Sequence, residues 1–536
     1  MPVDEQPVPV RDAGSSTDAF VLAVDLGTGG PKAAVLTTSG HLVAHAFEPV
    51  GMSLFPDGGA EQDPEEWWRA VVRAARRALD DAAVAPDLVV GVGCTAQWSG
   101  TVAVDGAGRA IGPAVSWMDS RGSSAVRRQV RGPVNVLGYD ALHVARWIRR
   151  SGGIPSLSGK DPVGHILFLK EQRPEVHRAA AVFLEPVDYL NLRLTGLARA
   201  SYDSITLHWV TDNRRIDRVA YSRDLLAMAG LDRSTLPDLV PTATVLGGLA
   251  PAAAAELGLV PGTAVVTGTG DLHSAAVGSG AVEDFAGHLY IGTSSWISCH
   301  VPFKKTSAVN NITSIPSGIP GRYLVADEHE TGGACLTWLR DRVLYPGDAP
   351  PDALDAMNTV AAGVPAGSHG VMFTPWLNGE RSPVDDHTIR AGFHNMSLST
   401  TREDMTRAVF EGVALNSRWL LGAVEKFAGR RFSSLAFIGG GASSDLWSQI
   451  HADATGRTIR QMADPVLANV RGAGFLTLLS LGRIELADIA SKVAVRAEYR
   501  PDPDAAGVYD SLAAEFVALY KQTKGIHRRL NRHGPR

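Results

Sequence analysis

Two carboxylates and three glycine turns stand out as the residues able to do chemistry in this chain. Asp25 lies in VLAVDLGT (Val21 to Thr28), and a similar text, HLYIGTS, recurs at His288 to Ser294. In both, Gly-Thr directly follows an apolar, β-rich run. A glycine there lets backbone N–H groups approach an anion, and the Thr hydroxyl adds a donor, so each turn could cradle part of a polyphosphate. Between them Asp271 closes GTGD after the apolar run Ala264 to Val266. An acid so placed is a candidate general base. A lone Gly-Thr is usually a tight bend; the ordered trio is the stronger signal. The third glycine turn, Gly439 to Gly441, leaves a strand-like run and leads to Ser443, Ser444 and Asp445, which can cap a helix beginning near Leu446. A helix N-terminus reached through glycines suits the phosphates or ribose of a nucleotide, and a plain helix cap is the alternative.

The elements that must position these groups are legible. VLAVDLGT, KAAVLTT and HLVAHAFEPV read as a three-strand meander. Asp63 then offers a cap, Pro64 a first helical residue and Glu65 and Glu66 first-turn acids to a long helix through WWRAVVRAARRALDDAAV. The runs Leu88 to Gly93 and Pro113 to Trp117, with a hairpin between, add further strands. Strands, helix, strand is the opening of an actin-like α/β domain. The later half repeats the pattern, with strands around the Gly292 turn and a strand, glycine loop and helix at SSLAFIGGGASSDLWSQIHADATG. The break between halves is expected near Gly280 to Gly287.

At 536 residues the chain exceeds what one core serves, so two large domains with a cleft between them are expected. Hydrophobic residues at 45% and charged residues at 20% are those of a soluble globular enzyme. A formal net charge of -5 supplies no basic field for nucleic acid. Lys521, Lys524, Arg528, Arg529, Arg532 and Arg536 make a short basic terminus, expected to be solvated and frayed. No apolar run is long enough to span a bilayer. Cys94, Cys299 and Cys335 form neither a disulfide framework nor a zinc pattern, and a reducing cytoplasm is expected. The first eighteen residues lack a secretory signal's pattern and are expected to be disordered.

Several motifs fail on context. VVGVGCTA (Val89 to Ala96) fits a dinucleotide signature in letters, but Gln97-Trp98-Ser99-Gly100 and another strand come where a helix should start. Gly27 to Lys32 has the wrong spacing for a P-loop, His329-Glu330 lacks the second histidine of a zinc protease, and Gly292 to Trp296 lacks the last glycine of a nucleophile elbow.

With these pieces in this order, the chain resembles the FGGY carbohydrate kinases, nearest to their xylulokinase branch, from about Phe20 to about Glu515. DLGTGGPK (Asp25 to Lys32), CTAQWSG (Cys94 to Gly100), WMDSR (Trp117 to Arg121), LEPVDYLNLRLTG (Leu184 to Gly196), PWLNGERSP (Pro375 to Pro383), TREDMTRAVFEGVALNSR (Thr401 to Arg418) and the Gly439 loop followed by Ala473-Gly474 carry it. The resemblance implies an α/β fold of two actin-like domains of the RNase H-like, hexokinase and Hsp70 type around an interdomain cleft. It implies a tail over 1–18, an N-terminal domain over 19–282 bearing the sugar side, a phosphate turn and the catalytic acid, a nucleotide-side domain over 283–515, and a basic tail over 516–536.

The resemblance also implies ATP and Mg²⁺ and a phosphoryl transfer to a small ketose, with D-xylulose first and another ketopentose, a pentitol or glycerol as alternatives. Asp271 is similar to the family's catalytic base, and Asp25, with Asp271, to its metal-side acids. Gly27, Thr28, Lys32, Gly292, Thr293 and Ser294 are then expected at the β- and γ-phosphates. Gly332 and Gly333 border the nucleotide, and Gly440, Gly441 and Ser444 approach the adenosine. Gln97, Trp98, Ser99, Trp117, Asp119, Arg121 and Leu272 are expected on the sugar side. Xylulokinases typically read Gln-Met-His-Gly where this chain has Gln97-Trp98-Ser99-Gly100, and Asp-Asn where it has Asp271-Leu272, so two hydrogen-bonding groups are lost and an indole gained. The partner expected is a small sugar or polyol, without nucleic acid or membrane; a homodimer is left open. A catalytically inactive actin-like binding protein is the rival of another class, and retention of both acids argues against it.

Overall fold

The computed structural model describes residues 8–11, 19–136 and 138–531. The N-terminal lobe is built on strands β1 (Phe20–Gly27), β2 (Gly30–Thr37) and β3 (Leu42–Phe47), the expected meander, backed by helix α1 (Pro64–Asp81). Asp63 caps α1 by accepting from the Glu65 N–H, and Trp67, Trp68, Val71, Ala74, Ala75 and Ala78 form its buried face. Strand β4 (Val89–Ala96), helix α2 (Pro186–Thr195), and strands β5 (Val245–Gly248) and β6 (Ala264–Gly270) come next. The sheet runs β5-β6-β4-β1-β2-β3. Its centre is parallel, with β4 between β1 and β6. Both faces of that centre are covered, so β1, β4 and β6 read as nearly continuous buried runs rather than alternating ones.

Helix α3 (Asp271–Gly278) leaves β6 without a loop, and β7 (Gly287–Ile291) and β8 (Ser295–Val301) open the second lobe. Its sheet adds β9 (Thr306–Ser307), β10 (Ile312–Pro316), β11 (Tyr323–Ala326), β12 (Ser434–Ile438), β13 (Thr458–Met462) and β14 (Val495–Tyr499), in the order β9-β10-β11-β8-β7-β12-β13-β14. Here too the centre is parallel: β7, β12 and β13 run the same way. Helices α4 (Arg402–Ala428) and α5 (Asp445–Thr455) pack together on this sheet. Helix α4 starts with a full capping box of Thr401 and Asp404 and ends on left-handed Gly429.

Helix α6 (Ala468–Ser480) leaves the second lobe and lies on the sheet of the first, against β1, β4 and α3. Glycines make this possible. A Cβ at Gly278 would lie 1.7 Å from the Ala468 carbonyl oxygen, and one at Gly472 would lie 1.9 Å from that of Ser274. Gly93 of β4 leaves room for Thr477, Gly91 for Leu481, and Gly474 for Leu36. The glycines of VVGVGCTA therefore clear space for a helix, and Ala473-Gly474 serve this packing rather than an open nucleotide face.

Two expectations at the chain ends need correction. Residues 516–530 are no frayed tail: helix α7 (Pro503–Leu530) runs through them, because Phe516 and Tyr520, one turn apart, are buried against Trp376 and Trp419. Lys521, Lys524, Arg528 and Arg529 lie on its solvent side, whereas Arg532 and Arg536 fall outside the described residues. Within the expected disordered start, residues 8–11 are placed, with the Gly248 N–H donating to the Val8 carbonyl (2.8 Å) and the Arg11 N–H to that of Gly262 (2.8 Å). The rest of 1–18 lies outside the described residues. Among the described residues no helix is long and apolar enough to cross a membrane.

The glycine crossing can be tested by contrast. Gly278→Ala should cost about 3 kcal/mol, since a methyl there meets backbone that cannot rotate away. Gly422→Ala, in the middle of α4 with nothing within 4 Å of its Cβ position, should be neutral or stabilising by up to about 1 kcal/mol. Denaturant unfolding of both variants checks the pair; equal effects would contradict the packing.

Candidate active site

The parallel strands of both sheets carry the dispersed motifs of the sequence at their carboxyl ends. In open α/β sheets ligands gather beyond the carboxyl ends of such strands. In the first lobe β1 ends at Asp25 to Gly27, β4 at Ala96 before Gln97, and β6 at Gly270 before Asp271; Leu26 and Gly270 both sit in register with Ala96. In the second lobe β7 ends at Ile291 before Gly292, and β12 at Ile438 before Gly439.

Asp25 faces Lys32 across the β1–β2 ladder, with Nζ 3.7 Å from Oδ2. Its carboxylate is buried, and Oδ1 has no hydrogen-bond partner. Burial pushes its pKa up, against the pull of Lys32. Asp271 is the first residue of α3, half-buried, with Oδ1 accepting the Leu272 N–H at 2.9 Å. Desolvation, then the charge of Asp25, pushes its pKa up to about 7. A carboxyl poised there exchanges protons readily at neutral pH. Buried hydroxyls hold the turn: Thr95 donates to the Thr269 carbonyl (2.9 Å), and Ser274 to that of Asp271 (3.0 Å).

The sugar-side candidates separate into two groups. Gln97 and Trp117 converge on Thr28: the Thr28 hydroxyl donates to Gln97 Oε1 (3.1 Å) and accepts from the Trp117 indole N–H (3.0 Å). That hydroxyl, expected on the phosphates, is thus tied to the sugar-side residues. Gln62 completes the cluster, accepting from Gln97 Nε2 (2.7 Å) and donating to the Thr28 carbonyl (2.9 Å). Asp119 and Arg121 belong to a different arrangement. Asp119 is fully buried and accepts from the Ala60 N–H and from Arg121, whose guanidinium also pairs with Glu61 and stacks on Phe168 at 4.2 Å. These two residues brace the strand around Glu61 and do not present free groups to the cleft.

Trp98, expected to add bulk facing the sugar, is almost wholly in the wall. Its N–H donates to the Ser204 carbonyl (2.8 Å), its ring meets His273 edge-on at 4.8 Å, and it covers Gly270, where a Cβ would lie 2.8 Å from the indole. Ser99 has a left-handed backbone (φ 67°), and its hydroxyl donates to the Lys160 carbonyl (3.0 Å). Leu272 packs partly buried on the α3–α6 core.

On the second lobe the two turns interlock. The Gly332 N–H donates to the Thr293 carbonyl (2.8 Å) and that of Gly333 to the Gly292 carbonyl (2.8 Å). Gly441 backs onto Ile291, leaving Gly440 open, so this loop shares the edge with Gly292. Ser444 caps α5 through the Trp447 N–H (3.0 Å) and donates to Asn358. Thr293 is exposed at the tip of its turn, and Ser294 lies near Glu328.

Models of the FGGY family of carbohydrate kinases match this chain twice, the N-terminal domain over residues 20–278 and the C-terminal domain over 288–480. The chain belongs to the FGGY family of carbohydrate kinases. A xylulose kinase of Staphylococcus epidermidis is 27% identical over 511 residues, covering 94% of this chain and 97% of the relative. An autoinducer-2 kinase of Klebsiella pneumoniae is 28% identical over 535 residues, covering 95% of each. The fold matches that of a ligand-bound xylulose kinase from Lactobacillus acidophilus with a TM-score of 0.84 at 21% identity, covering 96% of this chain and all of that one. The two-domain actin-like fold of this family, and a sugar phosphotransferase activity, are thereby established for this FGGY kinase. ATP as phosphoryl donor comes with the kinase family.

Gln62, Glu61, Glu328, Asn358 and Lys160 did not stand out in the sequence. Glu61 and Gln62 carry a weak signal, two polar residues before a helix cap, and only their burial in a short strand reveals them.

The raised pKa of Asp271 links activity to stability. A carboxyl whose folded pKa lies above its unfolded value is stabilised protonated, so stability is lost as pH rises from about 4 through about 7. Asp271→Asn removes that loss. Its Tm advantage over the wild type should therefore be absent near pH 4 and grow to a plateau near pH 8, followed by differential scanning calorimetry. A pH-independent difference would contradict the desolvated carboxyl.

Proposed function

We propose that this FGGY kinase transfers the γ-phosphoryl group of ATP to a hydroxyl of a small ketose, D-xylulose before others, giving D-xylulose 5-phosphate. The observation that carries the reading is Asp271: a carboxyl brought near neutrality by desolvation and by Asp25, at the edge where the parallel strands of both sheets end. Phosphoryl transfer has a loose transition state, so the protein's work is in-line positioning, charge stabilisation and removal of the acceptor's proton. Asp271 takes that proton. The backbone N–H groups of the Gly27 and Gly292 turns, with Lys32, hold the β- and γ-phosphates, and the Gly440–Gly441 loop with Ser444 receives the adenosine. Gln97 and Trp117 present an amide edge and an indole face to the sugar, and Asp119 and Arg121 hold that wall from behind.

Mg²⁺ fits this site. The orphaned Oδ1 of buried Asp25 is an oxygen that could ligate such an ion, and the negative charge gathered by Asp25 near Asp271 would favour a divalent cation at this site. Mg²⁺ keeps much of its hydration and needs few direct carboxylates. When bound, it supplies positive charge to the phosphates.

The name of the Staphylococcus relative supports xylulose over most of the chain's length. The autoinducer-2 kinase match, at similar identity, favours a second reading in which the acceptor is autoinducer-2 or a molecule like it rather than xylulose. Ribulose, pentitols and glycerol belong to the same screen.

Coupled detection of ADP across sugars and polyols tests the reading, with D-xylulose expected as the best acceptor. Asp271→Asn should retain ATP binding while kcat falls by about 10² to 10⁴. A loss of less than about tenfold would remove Asp271 from the mechanism. Asp25→Asn should shift the Mg²⁺ titration to higher concentration, and an unmoved titration would contradict its role.

A further inference from the structure

Lys160 sits where the two lobes meet, beside the Ser99 turn. Its loop is rigid: Asp161 caps the helix Pro162–Gln172 through the Gly164 N–H (3.1 Å) and also accepts the Ser156 N–H (2.6 Å). The Lys160 carbonyl accepts the Ser99 hydroxyl, beside the Trp98 that covers Gly270 and so next to Asp271. From there its side chain crosses to the second lobe, where Nζ lies 3.3 Å from Glu330 Oε1. Lys160 is 28% exposed and Glu330 10%, so the pair is largely shielded from bulk water.

Glu330 is held firmly. Its other oxygen accepts from Arg381 Nε at 2.5 Å, and the same guanidinium pairs with Glu328. Glu380 fixes the backbone beneath, accepting the N–H groups of Glu330 and Arg381 at 2.9 Å each while Asn416 Nδ2 donates to it at 2.6 Å. Glu328 lies near Ser294 of the phosphate turn and within electrostatic reach of Asp271. A line of alternating charge therefore runs from the Ser99 turn to the phosphate turn, past the reacting acid. Two cations, Lys160 and Arg381, face two carboxylates, Glu328 and Glu330. Glu380, pushed up to about 8 by burial, adds little charge at neutral pH. The wall is close to neutral, yet rich in donors and acceptors, which suits hydroxyl groups and gives no net pull on an anionic substrate.

We propose that Lys160 and Glu330, one from each lobe, are specificity-determining residues that together read hydroxyl groups of an uncharged polyhydroxylated acceptor. The proposal rests on the sugar-kinase reading above and names the part of that site set by residues outside the motifs. A site built from such buried partners rejects acceptors that leave them unpaired, so removing one partner should flatten the preference.

The test compares the full-length wild type with Lys160→Met, Glu330→Gln and the double variant. ADP release is followed with D-xylulose, D-ribulose, xylitol, glycerol and gluconate, and KM is measured for ATP. Each single variant should lower kcat/KM for the best five-carbon acceptor by about tenfold or more, leave glycerol and KM for ATP within about twofold, and so compress the ranking. The double variant should lose little beyond the worse single one, because the pair acts as a unit. An equal loss on every acceptor, a raised KM for ATP with the ranking intact, or a wild type that prefers gluconate would overturn the proposal. Should Lys160→Met fail to fold by circular dichroism, Lys160→Gln gives the same readout. A wild type inactive on every acceptor sinks the kinase reading and this proposal together, whereas an active one whose variants keep its ranking sinks this proposal alone.

Discussion

The close approach of α3 and α6 is the contact on which the rest of this structure depends. At Gly278 and Gly472 each helix backbone lies where the other's Cβ would be, and Gly91 and Gly93 of β4 yield similarly to Thr477 and Leu481. Any side chain at these points would lift α6 off the first lobe's sheet. The consequence reaches the chemistry, because α3 begins with Asp271 and α6 comes from the lobe that carries Gly292 and Gly440. A bare backbone contact transmits position better than interleaved flexible side chains do, since it has no rotamers to absorb a shift. The two halves of the cleft are thus referenced to one another through the helix that starts at the reacting acid.

Electrostatics at the cleft work against stability and for reactivity. Burial raises the proton affinity of Asp25 against the pull of Lys32, and burial together with the charge of Asp25 raises that of Asp271. The surrounding scaffold compensates through fully satisfied networks: Asp119, Arg121 and Glu61 on one wall, Glu328, Arg381, Glu330 and Glu380 on the other. Paired charges there are expensive to break, so each wall keeps its shape around Asp25 and Asp271.

The local elements near the acids were legible because their signals are local. The meander, the Asp63-Pro64 start of α1 and the Ser444 cap arise from turn chemistry and periodicity within a few residues. Failure of VVGVGCTA as a dinucleotide motif was equally readable, since β4 runs into Gln97 and then another short strand, with no helix between. The glycines' actual purpose was not, because their partner Thr477 is nearly four hundred residues away. The C-terminal helix was missed for a related reason: charge in 516–530 outweighs two aromatic residues until Trp376 and Trp419 supply a surface for them.

By itself the sequence determined which groups are available: two acids and three glycine turns placed after apolar runs, with enough family text to specify a carbohydrate kinase. Only the tertiary structure decided how those groups are used. It turned the Thr28 hydroxyl toward Gln97 and Trp117, committed Asp119 and Arg121 to each other, buried Trp98, and brought Lys160 to Glu330 across the cleft. The physical reason is that a polar side chain's role is set by which partners remain unsatisfied once the backbone has packed. Partners as distant in sequence as Thr28 and Trp117, or Lys160 and Glu330, leave no trace in spacing or composition.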